Sequence, residues 1–351
     1  MKSKPMTKFA ILALSLVLVA CAGGGSEEAG CPAIDGREIN VVATTPMIGE
    51  FVSQVGGENI NLTVLMPPEA NPHTYEPAPQ DAGTIAEADL VFYTGLLYEP
   101  AALVKLLENS ACSTDILSEV GESVFPIEFK EVGHDDHDDH DDEEGHDDHD
   151  DEEGHDDEEG HDDEEGHDDH EGHNHGAYDP HFWFDPSRVA YAAEYIESRL
   201  IQFDPENESS YTSSADSFVS ELNDLTKQVS ELISTVPSQN RKLITTHESL
   251  GYLEAKFGLE VLSTIIPSLN SANEISPSDL AGVIDVIEDN NVKVIFIESE
   301  APSVYSETIV AETGIKSVTG LYVETLKPGQ SYSEFLISNV TLITENLQDT
   351  D

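Results

Sequence analysis

The stretch 208–236, ESSYTSSADSFVSELNDLTKQVSELISTV, is the most regular part of the sequence. Its apolar residues recur in steps of four and three, which is the spacing of one helix face. They are Tyr211, Ala215, Phe218, Leu222, Leu225, Val229, Leu232 and Val236. At ~1.5 Å per residue such a helix runs about 40 Å, enough to cross between domains. The stretch therefore predicts a linking helix within 206–237, which Pro237 ends.

Short apolar strands alternate with helical segments on both sides of this helix. Before it, we predict strands at 39–44, 60–65, 90–93 and 123–126, and helices at 47–55, 79–88, 100–108 and 186–203. After it, we predict strands at 242–246, 260–264, 293–297 and 316–319, and helices at 250–257, 277–289, 303–313 and from 333 onward. Such alternation is typical of a parallel sheet with helices on both faces. The sequence predicts an α/β fold of two lobes, 32–205 and 238–351, each with a parallel sheet flanked by helices, joined by one long rigid helix.

The first 20 residues have the features of a signal peptide. Three lysines precede an apolar run over 9–20, which is shorter than the roughly 20 residues a spanning helix needs. The run ends in LVAC (18–21), which resembles the lipobox of bacterial lipoproteins. That resemblance implies cleavage before Cys21 and attachment of lipid to its sulfur, with 21–31 as a tether on the extracytoplasmic face of a membrane. An ordinary secretory signal is the alternative.

Two cysteines remain after Cys21, namely Cys31 and Cys112. In an exported protein an even remainder favours one disulfide. It would fasten the start of the folded chain to the first lobe. Two buried thiols are the alternative.

The chain is strongly acidic, with 71 acids against 15 bases and a net charge of −56. Residues 134–175 hold 25 of these acids and no Lys or Arg, so the rest of the chain is acidic as well. Such a field attracts cations and repels nucleic acid and anionic lipid. We therefore expect no nucleic-acid partner. Adaptation to a saline habitat is a second explanation of the charge.

Residues 134–175 form what we call the His-rich segment, which contains no apolar residue. Its eleven histidines are His134, His137, His140, His146, His149, His155, His161, His167, His170, His173 and His175. With nothing to bury in a core, the segment is expected to be disordered without a ligand. Its imidazoles are candidates for an auxiliary set of weak metal sites.

Only three of the 14 histidines lie in the part of the chain expected to fold: His73, His181 and His247. Each follows an extended segment and lies among residues typical of turns. Imidazole is the commonest zinc ligand, and a zinc site needs three or four N, S or O donors. Each histidine alone is more easily explained as structural. The three together, with no other in the folded part, favour one shared site.

Three motifs around these histidines are specific: NPHTYEP (71–77), DPHFW (179–183) and THESLGY (246–252). They resemble the zinc and manganese solute-binding proteins of ABC importers (cluster A-I), and the resemblance runs from about residue 39 to the C-terminus, apart from the His-rich segment. It implies two α/β lobes bridged by a rigid helix, with the metal in the interlobe cleft. His73 and His181 would come from the first lobe and His247 from the second.

The resemblance also implies a fourth ligand from the second lobe, after its last strand. The matching residue in LYVETL (321–326) is Glu324, where the family usually has Asp, so water stays open as an alternative ligand. Glu298, at the end of a predicted strand, is a competitor, although a solvated or helix-facing carboxylate is its simpler interpretation.

Three imidazoles and one carboxylate suit zinc, whereas manganese prefers more oxygen. In the family a manganese site tends to carry Glu in place of His247, and a His-rich insertion is typical of the zinc-specific members. We therefore expect Zn²⁺ as the transported ligand. The His-rich segment would collect or sense zinc, unless it is merely a tolerated low-complexity loop.

The resemblance implies a binding protein that delivers metal to an ABC importer permease and its ATPase, with the membrane reached through the lipid anchor; we expect a monomer and no catalysis. A manganese or other divalent-metal protein, or an adhesin of the same family, is the alternative. A zinc hydrolase is disfavoured because it needs a general base beside a metal-bound water, and the chain has no His-Glu-x-x-His motif. Glu76 and Glu248 are interpreted as partners that orient imidazoles.

Overall fold

The computed structural model describes residues 31, 34, 36–68, 70–129, 178–270, 275–300 and 304–348. The predicted signal peptide, Cys21, nearly all of the tether and the whole His-rich segment with its eleven histidines lie outside the described residues. Within the described part, no helix is both long and apolar enough to cross a membrane.

Two parallel four-stranded sheets organise the described chain. The first has the order β2-β1-β3-β4 and consists of β1 (Ile39–Ala43), β2 (Ile60–Val64), β3 (Leu90–Tyr93) and β4 (Leu117–Glu119). The second has the order β6-β5-β7-β8 and consists of β5 (Lys242–His247), β6 (Glu260–Ile266), β7 (Val294–Glu298) and β8 (Lys316–Leu321). Both sheets thus share one topology, and the predicted fold class is confirmed.

Helices cover both sheets. They are α1 (Pro46–Gly56), α2 (Pro79–Ala86), α3 (Ala101–Ser110), α4 (Pro186–Phe203), α5 (Glu208–Ser234), α6 (Gly251–Phe257), α7 (Pro277–Asn290), α8 (Val304–Thr313) and α9 (Tyr332–Gln348). Local chemistry sets where several of them begin. The Ser276 hydroxyl accepts the Asp279 backbone N–H while the Asp279 carboxylate accepts that of Ser276, a capping box that starts α7.

The 27-residue helix α5 packs against α1 and α4 from the first half of the chain and against α6 and α9 from the second. Its apolar face belongs to one hydrophobic core that contains residues from both halves. The prediction misplaced one position of that face, because Ile233 is buried and Leu232 only partly so. A real helix has 3.6 residues per turn, so a strict alternation of steps of four and three drifts off the face.

The fourth strand of the first sheet was predicted wrongly at 123–126. That strand is β4, whereas Gly121–Val124 forms a 3-10 turn and Phe125 has a left-handed backbone with φ 52°. A left-handed residue cannot continue a strand. β4 has three residues, of which only Ser118 is buried. Its alternation of buried and more exposed positions is too short to be detected from sequence.

The disulfide between Cys31 and Cys112 is present, as the even cysteine count predicted. It closes a loop of 81 residues and fastens the beginning of the described chain beyond the end of α3.

Replacing both cysteines with serine should lower the free energy of unfolding by about 2 kcal/mol, the low end of the usual range for a native disulfide. We expect the low end because, of the residues described before Ile39, Ile34 alone packs on the hydrophobic core. Urea denaturation of the variant and of the parent chain measures the difference. An unchanged midpoint would contradict a stabilising role, and the parent treated with reductant is the matched control.

Candidate metal centre

The end of β5 and the segments that follow β2 and β8, together with the segment before α4, bring His73, His181, His247 and Glu324 close to one another. His247 is the last residue of β5, and Glu324 follows β8 by three residues. His73 lies in a 3-10 turn (Pro72–Thr74) after β2, and His181 directly precedes the 3-10 turn that leads into α4. One donor atom from each residue lies within 4.8 Å of the others. Residues far apart in sequence therefore form one cluster, with contributions from both sheets.

The four side chains of the cluster are buried and lie close together. The His73 side chain is 3% exposed and those of the other three residues are 0% exposed. The centroids of the three imidazole rings lie 5.3–6.2 Å apart. Ligands about 2.0–2.2 Å from one zinc ion lie within about 4 Å of each other, so only small side-chain movements are needed to enclose the ion.

Carboxylates orient two of the imidazoles. Asp179 Oδ1 lies 2.8 Å from His181 Nδ1 and also accepts the His181 backbone N–H. Glu298 does the same for His247, contacting its Nδ1 and accepting its backbone N–H. A proton on Nδ1 leaves the lone pair on Nε2, the form in which histidine binds metal. Among the described residues, neither His181 Nε2 nor His247 Nε2 has a hydrogen-bond partner of good geometry.

His73 and Glu324 face each other across the cluster. The Asn71 side chain accepts the His73 backbone N–H, and His73 Nε2 lies 3.0 Å from Glu324 Oε1. Glu324 Oε1 also lies 2.9 Å from His247 Nε2. The longer side chain of Glu therefore reaches the position at which the family resemblance implied Asp. Its other oxygen, Oε2, accepts a hydrogen bond from the Tyr98 hydroxyl at 2.8 Å.

Glu298 is 2% exposed, so it is not the solvated carboxylate of its simpler interpretation, and its Oε2 contacts His247 Nδ1. Sequence reasoning gave the orienting role to Glu76 and Glu248. Asp179 and Glu298 fill it for His181 and His247. The position of Asp179, two residues before His181 in the same motif, was the available signal.

The charges of these groups shift each other's pKa strongly. Burial opposes protonation of His181, but Glu324 and Asp179 outweigh it and raise the pKa to about 9. Burial likewise opposes protonation of His247, and Glu298 and Glu324 raise its pKa well above the ordinary value. Burial favours the neutral form of Glu324, yet the three imidazoles hold its pKa well below the usual range. Without metal, His181 and His247 therefore favour the protonated form beside the Glu324 carboxylate, and a cation must displace those protons.

A further buried acid, Glu300, lies beside Glu324. Its Oε1 accepts the backbone N–H groups of Val323 and Glu324 at 3.3 and 3.4 Å. Burial, followed by the charges of Glu324 and Glu298, raises the pKa of Glu300 to about 8. Below that pH Glu300 is therefore mostly neutral, and Glu324 carries the negative charge that faces the imidazoles.

The family model described as "ZnuA: Zinc-uptake complex component A periplasmic" matches residues 41–346. The chain belongs to this family. Its members are metal-binding components of ABC transporters rather than enzymes, and their partners are a permease and an ATPase. The resemblance drawn from the three histidine motifs is thereby confirmed.

Named relatives of this family cover nearly the whole chain. "High-affinity zinc uptake system protein ZnuA" of Bacillus subtilis is 27% identical over 97% of this chain and 96% of its own length. "Manganese ABC transporter substrate-binding lipoprotein PsaA" of Streptococcus mitis is 25% identical over 97% and 98%, respectively. Among solved structures, the periplasmic zinc-binding protein TroA from Treponema pallidum has a TM-score of 0.70 at 20% identity and covers 88% of this chain and 99% of its own. The relatives' names divide between zinc and manganese.

Proposed function

We propose that this chain binds Zn²⁺ as cargo through His73, His181, His247 and Glu324 and delivers it to the permease of an ABC importer. The observation that carries the proposal is the donor set: three imidazoles and one carboxylate, buried and within 4.8 Å of one another. The Nε2 atoms of His181 and His247 support it: among the described residues they have no hydrogen-bond partner of good geometry, although Glu324 Oε1 lies 2.9 Å from His247 Nε2. Buried polar atoms are rarely left so unless something else binds them.

Zinc fits this donor set better than manganese does. Three nitrogen donors and one oxygen suit a four-coordinate zinc ion, whereas manganese favours oxygen ligands. Tyr98 engages Glu324 Oε2, while Oε1 lies 3.0 Å from His73 Nε2 and 2.9 Å from His247 Nε2. Manganese is the second candidate, since several of the relatives are named for it.

The two lobes, the lipid anchor and the His-rich segment would all serve this delivery of zinc. The lobes 32–205 and 238–351 would enclose the ion in their cleft, with the helix in 206–237 between them. Lipid on Cys21 would hold the protein, a monomer, at the outer face of the membrane. The His-rich segment would collect or sense zinc for the cleft, since its imidazoles and carboxylates attract cations.

Growth of a strain that lacks this gene tests the cargo. We expect the strain to fail at limiting zinc and to grow normally at limiting manganese. A plasmid carrying the parent chain should restore growth, and one carrying His247→Ala should not. A defect confined to limiting manganese would replace zinc with manganese as the cargo. Normal growth under both limitations would reject the transport proposal.

Deleting residues 134–175 tests the role of the His-rich segment. If the segment collects zinc, uptake should fall at limiting zinc and recover when zinc is plentiful. A deletion strain that takes up zinc like the parent at every concentration would make the segment a tolerated loop.

The orienting carboxylate Asp179 gives a sharper prediction about the cleft. Asp179→Asn keeps the shape but exchanges the carboxylate for an amide beside His181 Nδ1, and zinc affinity should fall about 10- to 100-fold. Competition with a chelator of known affinity measures this change. Asp216→Asn, on an exposed position of α5, is the matched control and should bind zinc like the parent. Equal affinities in both variants would contradict the orienting role.

A further inference from the structure

Tyr98 connects the first sheet's side of the cluster to Glu324. The residue is 1% exposed, and its hydroxyl donates to Glu324 Oε2 at 2.8 Å and to the Glu324 backbone carbonyl at 3.2 Å. Glu324 Oε1 lies 3.0 and 2.9 Å from the Nε2 atoms of His73 and His247, whereas Oε2 lies farther from its nearest imidazole nitrogen, 3.6 Å from His181 Nε2. The contact with Tyr98 therefore engages the Glu324 oxygen that is farther from the imidazoles.

The chain reaches Tyr98 through an unusual turn. Gly95, Leu96 and Leu97 all have a left-handed backbone, with φ of 76°, 53° and 63°. Leucine adopts this conformation only under strain. Leu97 is also 68% exposed, so burial of its side chain does not hold the turn. Backbone strain persists only where the surroundings enforce it, and such strain is concentrated at functional sites.

Two carboxylates supply that enforcement, and Glu119 Oε1 accepts the Leu96 backbone N–H at 3.0 Å. The Glu99 carboxylate accepts the backbone N–H groups of Thr94 and Gly95 at 2.7 and 2.9 Å, and the hydroxyl of Thr44, the residue after β1, at 2.7 Å. The three donors tie both ends of the turn to the sheet. Glu99 is 4% exposed and, within the described chain, forms no ion pair with Lys, Arg or His. A buried carboxylate without a cation is costly, which makes a purely incidental placement improbable.

We propose that Glu99 is a positioning residue for the metal centre, which holds the left-handed turn so that Tyr98 engages Glu324 Oε2 and leaves Oε1 alone for the ion. A carboxylate restricted to one oxygen favours four-coordinate zinc over an ion that prefers more oxygen ligands. Glu99 thereby contributes to metal preference without touching the metal. The inference rests on the proposed function, because it assigns a role at the same site.

The test compares zinc and manganese affinities of full-length chains by competition with chelators. The set comprises the parent, Tyr98→Phe, Glu99→Gln and their double variant. His247→Ala measures the background of zinc bound by the His-rich segment. Tyr98→Phe and Glu99→Gln should each weaken zinc about 10-fold and manganese less, as loss of an outer hydrogen bond does. The double variant should lie within about twofold of Tyr98→Phe, because Glu99 acts through Tyr98. Glu108→Gln, on an exposed position of α3, is the matched control.

Two results would overturn the positioning role. One is a double variant whose fold-loss of zinc affinity equals the product of the two single losses. The other is an unchanged ratio of zinc to manganese affinity in Glu99→Gln. If Glu99→Gln does not fold, Thr44→Val removes one donor from Glu99 and should shift the ratio in the same direction by a smaller factor; no shift there contradicts the role equally. A parent chain that binds no zinc above the His247→Ala background would instead refute the proposed function, and this inference with it.

Discussion

His247→Ala is expected to weaken zinc binding in the cleft by about 100- to 1,000-fold. Four-ligand zinc sites bind with about 10–16 kcal/mol, so one ligand accounts for roughly 3–4 kcal/mol, or two to three powers of ten. The substitution also leaves Glu298 buried without its imidazole partner, which adds to the loss. His247 is the only imidazole that the second sheet contributes to the cluster, so its loss removes nitrogen donors from that side of the site altogether.

Chelator competition measures this loss. The variant should retain weaker zinc binding from the His-rich segment, so the tight component alone disappears. His149→Ala is the control, since it removes one imidazole of eleven from that segment and should leave the tight component unchanged. A tight component that survives in His247→Ala would show that the ion is held elsewhere.

The fold was largely predictable because its main signals are local. The apolar stripe of α5 and the alternation of strands with helices are patterns within short stretches of sequence. Eight strands were predicted, and eight are described. The errors arose where the local signal is short, as at β4, or where small differences in helical spacing accumulate, as at Leu232.

The histidines of the cluster were predictable in kind, since the part of the chain expected to fold has only three imidazoles and two of them directly follow a proline. Their partners were not. Tyr98 lies 226 residues from Glu324, and His247 lies 51 residues from Glu298. Contacts of this range depend on how the two sheets face each other, which no local pattern encodes. The local sequence around a glutamate at the end of a buried strand therefore does not distinguish whether its carboxylate binds metal, orients a histidine or is exposed to solvent.

Zinc should stabilise the protein strongly, and by an amount that increases with pH. At a free zinc concentration about 1,000 times the dissociation constant, binding adds about 4 kcal/mol to the free energy of unfolding. For a chain of this size that corresponds to a rise of roughly 8–16 °C in melting temperature. Calorimetric melting of metal-free and zinc-loaded protein at pH 7 measures it, with His247→Ala as the control that should gain little.

As the pH rises, the free energy of unfolding of the metal-free protein should fall, whereas the stabilisation that zinc adds should increase. In metal-free protein the pKa of His181 is raised from 6.5 to about 9 by Glu324 and Asp179 acting against burial, so this stabilisation is complete below about pH 6.5 and is lost as the pH rises toward 9. Zinc requires the deprotonated imidazoles, so its stabilisation grows over the same interval and vanishes in acid. The gap between the two melting temperatures should therefore widen from pH 6 to pH 9, because the metal-free form loses this stabilisation while the loaded form, whose imidazoles carry no such proton, does not. A gap that stays constant over this range would mean that zinc displaces no protons from these histidines, and the cluster would not be its binding site.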